Sequence, residues 1–124
     1  MSEQKIRYYK DLKIWQKGIS LVKDVYGITN KMPREEGYGL TNQIRRSAVS
    51  IPSNIAEGQA RQHAKEFKQF LYVALGSLAE LETQLVIAEQ LKYIRREDLR
   101  SLSDKIIEIR KMISGLISRL TADH

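Results

Sequence analysis

The chain has 124 residues, a formal net charge of +6 and no cysteine. That length reads as a single domain, residues 1–124, with room for a hydrophobic core that needs no staples. The missing cysteine excludes disulfides, thiolate metal sites and cysteine nucleophiles, and suits a reducing cytoplasm.

The N-terminal MSEQKIRYYK has no apolar stretch of the kind a secretory signal needs. The longest apolar-rich stretch, FLYVALGSLAELETQLVIA, is interrupted by Glu80 and Glu82, so no membrane span is expected. Residues 63–92 alone carry a net negative charge, three Lys/Arg against four Asp/Glu, and are also the most apolar. The basic excess elsewhere suits an acidic partner such as RNA, and equally a merely solvated face.

Apolar residues recur at helical spacing almost throughout, with no competing alternation of period two, so an all-α fold is expected. Helix 1, residues 10–30, carries Leu12, Trp15, Ile19, Val22 and Tyr26 on one face. Pro33, Gly37 and Gly39 then mark a connection. Helix 2, residues 39–58, carries Leu40, Ile44, Ala48, Ile51 and Ile55, and this register passes straight through Pro52.

A helix starting at Pro52 would have Ile51 as its cap, a poor capping residue. Helix 2 is therefore expected to continue and to kink, with the Ala48 carbonyl losing its partner and nearby Ser and Asn side chains compensating. Gly58 is expected as its C-terminal cap glycine. Helix 3, residues 63–92, runs Phe67, Leu71, Ala74, Leu78, Leu81, Leu85 and Ala88 in a strict 4-3 heptad. Helix 4, residues 96–121, repeats the rhythm through Leu99, Leu102, Ile106, Ile109, Ile113, Leu116 and Leu120. Short connections make consecutive helices antiparallel neighbours, so the expected architecture is an up-down-up-down four-helix bundle.

The polar residues of helix 2 have a direction. Arg46, Ser50, Asn54, Glu57 and Arg61 form one stripe beside the apolar face. A stripe in that position reads first as a hydrogen-bonded seam against a neighbouring helix or subunit. A ligand site, or an RNA contact through the arginines, is the alternative. The stripe holds no histidine and no nucleophile–base pair, and none of the usual phosphate-loop or calcium-loop motifs occurs in the chain. His63 and His124 are the only histidines, too few for a zinc cluster. No catalytic residue, metal or cofactor is expected. Acidic pairs such as Glu35–Glu36 and Glu80/Glu82 read as solvated or in interhelical salt bridges. Tyr8, Tyr9, Trp15 and Tyr72 could stack on bases, but aromatics at helical spacing are more often core.

Helix 3 is apolar on more than one side: 13 of the 19 residues from Phe70 to Ala88 are apolar. Tyr72, Val73, Leu75, Val86 and Ile87 lie off the heptad face, which implies burial against another subunit. Tyr72, Leu75 and Val86 are thus candidate oligomer contacts, and small Ala74, Gly76, Ser77 and Ala79 would let a partner helix approach. For RNA the candidates are Lys10, Lys13 and Lys17, expected on the side of helix 1 away from its apolar face, and Arg45 and Arg46 on helix 2.

The stretches YKDLKIWQKG, VYGIT, MPREEGYGLTNQIRRSAVSIPSNIAEG and KEFKQFLYVALGSLAELETQL resemble the four helix bundle protein family. These are the proteins encoded by intervening sequences within bacterial 23S ribosomal RNA genes. The matching stretches lie within residues 9–85, and SIPSNIAEG is the most specific of them. The resemblance implies an antiparallel four-helix bundle assembling as a homo-oligomeric ring, commonly a pentamer, with no established enzymatic activity. Related bundles are accessory variability determinants of diversity-generating retroelements, where a basic pentamer binds a reverse transcriptase and nucleic acid. One departure is His63 where the family tends to place Ser or Thr, which leaves the capping box with Glu66 half present.

Overall fold

The computed structural model describes residues 9–122. Four helices, α1 (Lys13–Thr29), α2 (Leu40–Ala60), α3 (Ala64–Gln90) and α4 (Arg96–Ala122), follow a one-turn 3-10 helix at Tyr9–Asp11. A second such turn, Arg34–Glu36, sits between α1 and α2. Each helix packs on its neighbours in the chain and α1 also packs on α4, while the diagonal pairs stay apart among the described residues. The result is a four-cornered helical bundle. Tyr8, a candidate for base stacking, and His124 lie outside the described residues.

The heptad rows of α3 and α4 form half the core. Leu71, Ala74, Leu78, Leu81, Leu85 and Ala88 are fully buried, as are Leu102, Ile106 and Ile113. Late in α4 the pattern slips: Ile117 is buried, and Leu116 and Leu120 only flank the core. A straight helix drifts about 20° per heptad from a 3.5-residue repeat, so by the last turns the inward position has moved on by one residue.

In α1 the expected face is rotated by about one residue, roughly 100°. The buried row is Ile14, Gly18, Leu21, Val25 and Thr29, whereas Ile19 and Tyr26 are exposed and Trp15 and Val22 flank the core. Gly18 explains the rotation. A Cβ there would stand 3.3 Å from the Cβ of Pro52, so the inward position opposite the proline has to be small. A core row holding a glycine and a threonine does not register as apolar in the sequence.

The α2 helix runs unbroken through Pro52, with Ile44, Ala48, Ile51 and Ile55 fully buried and Pro52 itself buried. The neighbouring side chains do not turn to the Ala48 carbonyl. Ser50 Oγ donates to the Ser47 carbonyl at 2.8 Å, and Asn54 Nδ2 to the Ser50 carbonyl at 2.7 Å.

Gly58 is not a cap, because α2 continues to Ala60 and no glycine among the described residues has positive φ. A Cβ at Gly58 would lie 2.7 Å from Phe70 Cβ and 3.0 Å from Phe67 Cδ1, so this glycine sets how closely α2 and α3 approach. The connection to α3 instead passes through Gln62, at φ 62°.

The α3–α4 turn uses the same left-handed device at Lys92, φ 65°. The Lys92 N–H donates to the Glu89 carbonyl at 2.9 Å and the Tyr93 N–H to the Ala88 carbonyl at 2.8 Å, a Schellman closure with lysine where glycine is usual. Left-handed φ costs an L-residue about 1–2 kcal/mol, and glycine returns about 0.5–1 kcal/mol through its floppier unfolded chain. Lys92→Gly should therefore stabilise the protein by up to about 1 kcal/mol, read as a melting temperature a few degrees higher.

Two acids cap helices. Glu36 Oε1 accepts the Leu40 N–H at 3.1 Å at the start of α2, so Glu36 belongs neither to a salt bridge nor simply to solvent. Its Oε2 accepts the Tyr93 hydroxyl at 3.1 Å. That bond, then burial and the charges of Glu36 and Glu35, hold the Tyr93 hydroxyl above its ordinary pKa. At α4, Asp98 accepts the Arg95 N–H at 3.1 Å. Burial pushes its carboxyl up, but the hydrogen bonds and charge of Arg95, with the charge of Lys31, outweigh burial and hold it below the usual value. At the start of α3, His63 has extended backbone and makes no side-chain cap bond.

By length and composition α3 could cross a membrane, despite Glu80 and Glu82. In this fold its heptad row is committed to the bundle core.

Candidate nucleic-acid interface

The stripe on α2 divides into three parts. Ser50 Oγ accepts from Ser77 Oγ of α3 at 2.6 Å, and Asn54 turns back to its own helix. Glu57 and Arg61 pair with each other at 3.3 Å on the surface, and Arg61 also lies over the Phe70 ring at 5.2 Å. An exposed pair of this kind contributes little stability. Arg46 is exposed and has no ion pair among the described residues.

The more buried polar link of this seam involves residues outside the stripe. Ser47 Oγ donates to Gln84 Oε1 at 2.9 Å, with both side chains buried. Neither a serine one position off the stripe nor a glutamine in an apolar helix announces itself by spacing. Ala74 and Ser77 are buried within the protomer, so only Gly76 and Ala79 of the small residues face outward.

Arg45 is a latch. Its Nε donates to Thr29 Oγ1 at 2.9 Å and its Nη2 to Asn30 Oδ1 at 3.0 Å, and its guanidinium lies 4.3 Å over the Tyr26 ring. These bonds tie α2 to the C-terminal end of α1. Beside them, a groove of about 540 Å³ opens between the two helices, lined by Tyr26, Thr41, Asn42, Arg45, Arg46 and Val49 among others. Two guanidiniums, an exposed aromatic ring and a side-chain amide meet there, with no carboxylate in the lining among the described residues. That set can hold a phosphate, stack on a base and hydrogen-bond to its edge.

The three lysines do not form one patch. With α1 rotated, Lys13 and Lys17 fall on the edge facing α4 rather than opposite the core. Lys17 pairs with Glu108 at 3.0 Å, and further along the helix Asp24 pairs with Lys105. Lys13 is exposed and lines a separate groove with Lys111 and Arg119 of α4. Lys10 is exposed in the first 3-10 turn.

On α3, Tyr72, Val73, Val86 and Ile87 are 59%, 52%, 42% and 44% exposed. Leu75 differs: it is partly buried against the core of its own protomer, which removes it from the free face. Glu82 pairs with Arg110 of α4 at 3.0 Å, an interhelical salt bridge, whereas Glu80 is exposed without an ion pair among the described residues. Among the described residues no group of three or more His, Asp or Glu is placed to hold a metal ion.

No curated protein matches the chain. Among solved structures it is similar to a protein of unknown function from the S23 ribosomal protein family of Bacteroides thetaiotaomicron VPI-5482. The two are 27% identical with a TM-score of 0.77, over 84% of this chain and 97% of the other. The family model for the 23S rRNA-intervening sequence protein matches residues 10–115. The chain belongs to the 23S rRNA-intervening sequence protein family.

Proposed function

We propose that this protein is a non-enzymatic, basic, homo-oligomeric bundle of the cytoplasm that binds RNA or an RNA–protein complex. The observation that carries the reading is the carboxylate-free groove between α1 and α2, where Arg46 stands exposed beside the Arg45–Tyr26 stack. The exposed apolar face of α3 supports assembly, and a ring of five is the form the family resemblance favours. Cross-helix pairs such as Ser47–Gln84 with Ser50–Ser77, and Asp24–Lys105 with Lys17–Glu108, favour an antiparallel up-down-up-down order. A bend at Pro52 belongs to the same reading. A ring repeats the groove once per subunit, so weak phosphate contacts act together.

The test is a titration of fluorescent single-stranded RNA at several salt concentrations. Arg46→Glu should weaken binding at low salt by roughly tenfold or more, and should make the plot of log K against log salt shallower by about 0.7 for each phosphate no longer neutralised. If the parent protein binds no RNA at low salt while its assembly is intact, the nucleic-acid reading fails. A protein partner such as a reverse transcriptase then becomes the better candidate.

A further inference from the structure

The seam between α1 and α4 is closed by opposite charges at two levels, Asp24 with Lys105 and Lys17 with Glu108. At the next level the pattern breaks. Lys13 lies across from Lys111 and Arg119, all three are exposed, and none has an ion-pair partner among the described residues. Between them is an open groove of about 430 Å³ over Leu12, Ile14, Met112 and Leu116, with no carboxylate in its lining among the described residues. Gly115 sits in this groove in the interior of α4. Among the described residues a Cβ there would have only the Arg119 guanidinium within 4 Å, at 3.8 Å, so none of them requires a glycine. Like charges around an apolar floor call for an apolar partner that brings an anion.

The protomer itself carries such a surface. The outward face of α3 presents Tyr72, Val73, Val86 and Ile87, and near its midpoint stands Glu80, exposed and unpaired among the described residues. Gly76 has open space where a Cβ would be, which allows close approach.

Neither surface suits its own copy. Two α3 faces meeting antiparallel about their midpoint would bring Glu80 against the same residue of the other copy. Two grooves meeting would set cations against cations. Each surface repels itself and complements the other.

We infer that the α1–α4 groove around Lys13, Lys111 and Arg119 receives the α3 face of a second copy, with Glu80 set among the three cations. The contact is head-to-tail, the kind that generates a ring when its rotation closes. The inference rests on the oligomer reading above, to which it adds the two surfaces that meet.

Light scattering of the full chain tests it. Glu80→Lys alone, and Lys111→Glu with Arg119→Glu, should each lower the mass toward that of the 14.3 kDa protomer, with helicity by circular dichroism unchanged. Joining all three changes in one chain should restore the parent mass, because the charges are exchanged across the contact. Gly115→Leu, which fills the groove without altering charge, should also break the assembly. If the assembly survives both the groove reversals and Gly115→Leu, α3 docks elsewhere, and the inference is overturned while the oligomer reading stands. Failure of the combined variant to reassemble would equally overturn the pairing. A monomeric parent would remove the oligomer reading itself.

Discussion

Gly58→Ala should lower the melting temperature by several degrees, although alanine is the better helix former. Helix propensity alone favours alanine by about 1 kcal/mol in a helix interior. Packing opposes it more strongly. The new Cβ would lie 2.7 Å from Phe70 Cβ and 3.3 Å from the Phe67 carbonyl oxygen. Neither atom is the free end of a flexible side chain, so α3 as a whole must move away from α2. That movement would strain the Ser50–Ser77 and Ser47–Gln84 bonds further along the same contact. Overpacking of this kind costs about 1–3 kcal/mol, and an unsatisfied buried polar group adds about 1–3 kcal/mol. Set against the propensity gain, a net destabilisation of about 1–5 kcal/mol is expected. Gly27→Ala supplies the contrast, since nothing lies within 4 Å of a Cβ at Gly27. It should hold or raise the melting temperature. If Gly58→Ala melts no lower than the parent, the close approach of α2 and α3 does not depend on this glycine.

What the sequence discloses depends on how each contact is made. The rows of α2 and α3 are legible because the inward positions that set their periodicity are aliphatic or alanine, so periodicity and burial coincide. In α1 they diverge. Gly18 and Thr29 occupy core positions because of Pro52 and the Arg45 latch, while Ile19 and Tyr26 are apolar and exposed. The residues of α1 alone offer two apolar edges, with nothing local to say which one faces the bundle. The same limit separates the lysines. Lys13 and Lys17 are one turn apart, but one meets two cations of α4 and the other meets Glu108. Their roles are set by a helix at the other end of the chain, and local spacing carries no record of it. Arg45 and Arg46 are adjacent and differ for a similar reason: only Arg45 is within reach of Thr29 and Asn30.

Tyr72→Glu combined with Val86→Glu should dissolve the proposed assembly without unfolding the protomer. Both residues are more than two-fifths exposed in the single chain, at 59% and 42%, so a glutamate at either place is solvated in the monomer. In an assembly that covers the α3 face, each glutamate would give up that water more than one turn from Glu80, away from the position that the cations of the α1–α4 groove surround. Burying an unpaired charge costs several kcal/mol, and a ring meets that cost at every interface. The measured mass should fall toward 14.3 kDa at micromolar concentration, while the melting curve of the dilute protein changes little. Leu75→Glu is a poorer probe, because Leu75 packs on the core of its own subunit and its replacement would weaken the fold as well. An assembly of unchanged mass in the Tyr72→Glu, Val86→Glu variant would show that the α3 face is open to solvent in the oligomer. The contact would then have to be sought on a different face of the bundle.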